Sequence, residues 1–81
     1  MNYDFVLIFN LPTKEDDPFK YMDRLFEEGC DDATVSCSGT GMIALDFTRE
    51  SETFIKAMLS AHDAVLRAIP GATLLSMTRV I

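Results

Sequence analysis

Tyr3-Asp4-Phe5-Val6-Leu7-Ile8-Phe9-Asn10-Leu11 alternates with a period of two. Tyr3, Phe5, Leu7, Phe9 and Leu11 share one face and Asp4, Val6, Ile8 and Asn10 the other. An aromatic face this heavy is expected to meet a helical layer. Outward from it, Leu11-Pro12 ends the strand because proline cannot donate to a ladder, and an acidic loop through Asp16 leads to Asp17-Pro18, an N-cap followed by proline at the first helical position. Residues 18–28 read as a helix with Phe19, Met22, Leu25 and Phe26 on one side, and Gly29 stands where a left-handed terminus is needed.

Residues 33–38 read as a short, half-polar strand, Gly39-Thr40-Gly41 as a hairpin turn, and residues 42–48 as a strand with Ile43, Leu45 and Phe47 inward. A second helix is expected over 52–69, capped by Ser51, with Glu52 at the positive end of its dipole and Phe54, Ile55, Met58, Val65, Leu66 and Ile69 on its apolar side. Pro70-Gly71 stops it. Residues 72–81 form the last strand, whose facing is ambiguous because Leu74 and Leu75 are adjacent.

The order strand, helix, strand, strand, helix, strand is that of a ferredoxin-like α+β sandwich with a four-stranded antiparallel sheet. Residues 1–81 make one such domain. Its expected core is Phe5, Leu7, Phe9, Leu25, Phe26, Ile43, Leu45, Phe47, Met58 and Val65. Right-handed crossovers place both helices on one face and the first and third strands in the middle. The other face is then bare, with Val6, Ile8, Met42 and Ala44 at its centre and Asp4, Asn10, Asp46 and Thr48 around them; these four apolar residues are the candidate interface.

A chain of 81 residues buries roughly 60–65% of its unfolded surface, so self-association would help it. With a net charge of -6, a pI near 4.4 and seven scattered basic residues, it lacks the footprint that displaces counterions from nucleic acid. Val6-Leu7-Ile8-Phe9-Asn10-Leu11 resembles the first-strand motif of an RNA-recognition domain, and Gly41-Met42-Ile43-Ala44-Leu45-Asp46-Phe47 can be laid on the third. The positions that would stack bases hold Leu7, Met42 and Ala44, however, so RNA binding is not expected.

Cys30 and Cys37 have neither the spacing of a zinc site nor a second pair, and read as free thiols of a cytoplasmic protein. Residues 5–9 are too short for a signal core or membrane span. His62 lies near the apolar side of its helix without a visible orienting partner, and the serines show no nucleophile elbow. Glu15, Asp16 and Asp17, with Glu27, Glu28, Asp31 and Asp32, lack calcium-loop spacing and read as solvated surface. No catalytic residue, metal or cofactor is expected.

Phe26-Glu27-Glu28-Gly29-Cys30-Asp31-Asp32-Ala33, Gly41-Met42-Ile43-Ala44-Leu45-Asp46-Phe47-Thr48-Arg49-Glu50 and Ala68-Ile69-Pro70-Gly71-Ala72 resemble the N-terminal domain of a family of small bacterial proteins described as helix-turn-helix DNA-binding proteins. In that family the DNA-reading segment follows the last strand, so the resemblance implies a regulatory or partner-binding domain, dimeric, without DNA contact by residues 1–81. The expectation is a non-enzymatic interaction or dimerisation module working through the bare face, as a homodimer or with another protein. The alternative is a sensor holding a metabolite at a sheet or subunit interface.

Overall fold

The computed structural model describes residues 1–15, 17–37 and 39–80. Asp16 in the acidic loop and the expected strand ends at Ser38 and Ile81 lie outside them. The elements are β1 (Asn2–Asn10), a 3-10 turn (Pro18–Tyr21), α1 (Met22–Glu27), β2 (Ala33–Cys37), β3 (Met42–Glu50), α2 (Phe54–Ala68) and β4 (Thr73–Val80). The sheet runs β2-β3-β1-β4, with every neighbouring pair antiparallel. This is the ferredoxin-like α+β arrangement, with β1 and β3 central.

Register carries the alternation from strand to strand. Phe5 pairs with Phe47, Leu7 with Leu45 and Phe9 with Ile43, and all six are fully buried on the helical side. The Phe5 and Phe47 rings stack with centroids 5.3 Å apart. The ambiguity in β4 is a bulge: Ile8 pairs with Ser76 and Phe9 with Leu74, so Leu75 is the extra residue and the facing of β4 changes across it. Gly41 closes the β2–β3 hairpin at φ +69, and a Cβ there would lie 2.8 Å from Lys14 Cα.

The first helix is shorter than its pattern. Asp17 does cap it, accepting from Phe19 N at 2.9 Å, but the next four residues form the 3-10 turn and only six are α-helical. So short a helix buries one wedge, Leu25. Phe26, expected in the core, is half exposed, as is Phe19, because neither the 3-10 turn nor the single α-helical turn and a half keeps the i, i+3, i+4, i+7 stripe on one side. Gly29 takes φ +93 after it.

α2 departs from expectation at its start and on its inner face. Thr53, not Ser51, is the cap, accepting from Lys56 N at 3.1 Å. Ser51 N instead donates to Met1 O at 2.9 Å, which prolongs the β1–β3 ladder one step beyond Asn2 and Glu50 and holds Ser51 in the sheet. The buried stripe is Ala57, Ala61, Ala64, Val65 and Ala68, while Ile55 is 64% exposed and Met58 and Leu66 only pack against the core's margin. Alanines face the sheet because β1 and β3 already fill the space with Phe5, Phe9 and Phe47, and a helix over three large rings needs small residues to approach.

Candidate functional site

The face of the sheet away from the helices is assembled by register. Ile8 lies between Ala44 and Ser76, Val6 between Asp46 and Thr78, Asp4 between Thr48 and Val80, and Asn10 between Met42 and Thr73. β2 adds Thr34 beside Asp46 and Ser36 beside Ala44. The four candidate residues Val6, Ile8, Met42 and Ala44 are thus contiguous across the two central strands. Each is half-buried by its neighbours on the pleat, and Asp4, Asn10, Asp46 and Thr48 around them are exposed.

Two features of this face depend on strand pairing. Its outer strands present hydroxyls, Thr34 and Ser36 on one side and Ser76 and Thr78 on the other. Its charges are all negative: Asp46, Asp4 and Glu50 follow one another diagonally along the β1–β3 pair, about 7–8 Å apart. Among the described residues no Lys or Arg shares this face, because Arg49 and Arg79 pair with Tyr3 and Phe5 and so fall on the helical side. Nor does an aromatic ring: Tyr3, Phe5, Phe9 and Phe47 are on the helical side too, and Leu7, laid on a base-stacking position in sequence, is in the core.

Arg49 donates from Nε and Nη2 to the two oxygens of Asp32 at 2.7 and 2.9 Å, from Nη2 to Gly29 O at 2.7 Å and from Nη1 to Ser60 Oγ at 3.0 Å. Its guanidinium also lies 5.0 Å from the Phe47 ring centroid. The bond to Asp32 raises the Arg49 pKa, so the side chain stays charged at any ordinary pH. Cys30, buried beside this clamp, has its thiol pushed up to about 11 by burial, which makes it a poor nucleophile; Cys37 is exposed at the end of β2. His62 stacks on Phe9 at 5.9 Å, with Nδ1 3.3 Å from Asp63 Oδ1. It packs at the margin of the core.

Among the described residues there is no cleft of ligand size, no group of three or more His, Cys, Asp or Glu able to hold a metal, and no helix long and apolar enough to cross a membrane. Sequence reasoning placed the four apolar residues of the bare face with Asp4 and Asp46 around them, but missed Glu50, the diagonal that aligns the three carboxylates, and the Arg49 clamp, because these are made by strand pairing and tertiary approach. The chain matches no protein-family model, no curated protein and no solved structure.

Proposed function

We propose that this chain is a non-enzymatic interaction module whose helix-free face docks a protein partner carrying basic side chains around a small apolar contact. The observation that carries the reading is the composition of that face: Val6, Ile8, Met42 and Ala44 side by side, with Asp4, Asp46 and Glu50 along them and, among the described residues, no Lys or Arg on the face beside the three carboxylates. An apolar centre with a charged margin is the anatomy of a docking patch. A second copy applied face to face would bring these carboxylates together in duplicate, and like-charge juxtaposition costs several kcal/mol. A cationic partner gains where a copy of the chain would lose. The resemblance to the N-terminal domain of small bacterial DNA-binding proteins supports a regulatory use of such docking.

The test uses a fluorescent strand-forming peptide of alternating valine and lysine. Wild type is expected to bind it saturably, and Ile8→Lys or Asp46→Lys to weaken binding at least about tenfold. Equal binding by wild type and Ile8→Lys would show that the acidic loops attract the peptide and that the face plays no part.

A further inference from the structure

β4 is the least covered element of the fold. Apart from Leu74, every one of its residues is exposed, including Leu75, Met77 and Val80 at 47%, 38% and 49%, and among the described residues no strand lies beside its outer edge. Exposed edges usually carry guards such as lysines, proline or a short length. β4 has no proline or lysine in eight residues, and its guards are one bulge and Arg79. The opposite edge, β2, is five residues long and follows directly on Asp31 and Asp32.

α2 leaves the same side open. One flank is tied inward by Ser60 to Arg49 and by Arg67 Nε to Glu28 Oε2 at 3.0 Å. The other flank, a third of a turn away, carries Ile55, Met58 and Leu66. At the start of the helix, next to Ile55, the Phe54 ring lies 4.7 Å from the Arg79 guanidinium of β4. Charge is also uneven: all 13 acidic residues of this -6 chain precede residue 64, and β4 contains none.

We propose that a second copy of this chain docks along the outer edge of β4, strand to strand and antiparallel, joining the two sheets into one with the Ile55 flank of each α2 beside the seam. The occupant is a second copy because β4 is an edge of the sheet where two strongly acidic molecules meet without opposing carboxylates, and because an antiparallel strand pair about a two-fold axis is self-complementary. In the register centred on Met77, the two Met77 side chains are adjacent and Ser76 of one copy faces Thr78 of the other. The two Arg79 charges are then four positions apart, about 13 Å, beyond the screening length of roughly 8 Å at physiological salt. The seam leaves the helix-free faces uncovered, so it is independent of the docking proposed for them.

Sedimentation equilibrium across the micromolar range, with far-ultraviolet circular dichroism as the check on folding, decides the matter. Wild type is expected to be a dimer, and Met77→Glu and Ile55→Glu each to weaken it at least about tenfold by placing carboxylates at the seam. Ile55 is two residues into α2, where glutamate suits the helix dipole, so that variant decides if Met77→Glu does not fold. Ile8→Lys should leave the dimer intact. A wild-type monomer, a dimer indifferent to the glutamates, or a dimer broken only by Ile8→Lys would each overturn the proposal, the last by moving self-association to the helix-free face.

Discussion

Arg49 directs its donors into the molecule, joining the end of β3 to the loop before β2 and to α2. Its side chain is 13% exposed and Asp32's 29%, so the pair is only partly screened by water. Lysine can keep the charge but not the two-pronged geometry, and Arg49→Lys is expected to cost about 2 kcal/mol in urea unfolding. Cys30 provides a second test. Its folded-state pKa of about 11 lies above the ordinary 9.0, so the unfolded chain loses the thiol proton first as pH rises. The thiol's contribution is complete below pH 9 and lost between 9 and 11, and Cys30→Ala should flatten the fall in stability over that window. Neither residue announced its role in the sequence. Arg49 and Asp32 are 17 positions apart, and no local period reports a contact made by folding.

At the scale of elements, what was legible followed periodicity and what was not followed its interruption. β1 and β3 keep strict alternation along their length, so their inward and outward faces could be read residue by residue. β4 could not be read that way because Leu75 sits unpaired in a bulge, and α1 misled because a helix of six residues cannot bury a stripe written for three turns. Ser51, the expected cap of α2, is held in the sheet's ladder, and Thr53, which the sequence reading passed over, caps the helix instead. Thermal or urea unfolding distinguishes the two positions. Thr53→Ala should cost about 1 kcal/mol through the lost bond to Lys56 N, whereas the Ser51 side chain has no capping role and Ser51→Ala should change stability by no more than about 0.5 kcal/mol.

At the scale of the whole molecule, two helices on one side of four strands leave a sheet with one helix-free face and one open edge. The apolar half of the helix-free face was legible because Val6, Ile8, Met42 and Ala44 follow from strand parity alone. Its acidic diagonal needed the β1–β3 register, and on that diagonal rests the proposal of a basic partner for this face. Methyl-resolved NMR of the isotopically labelled protein, titrated with the valine–lysine peptide, tests this most directly. Saturable shifts of the Val6, Ile8, Met42 and Ala44 methyls together are expected, with the 3-10 turn and α1 around Phe19 and Phe26 unmoved. Shifts confined to the acidic segments around Glu15 and Asp31, leaving those four methyls in place, would contradict it.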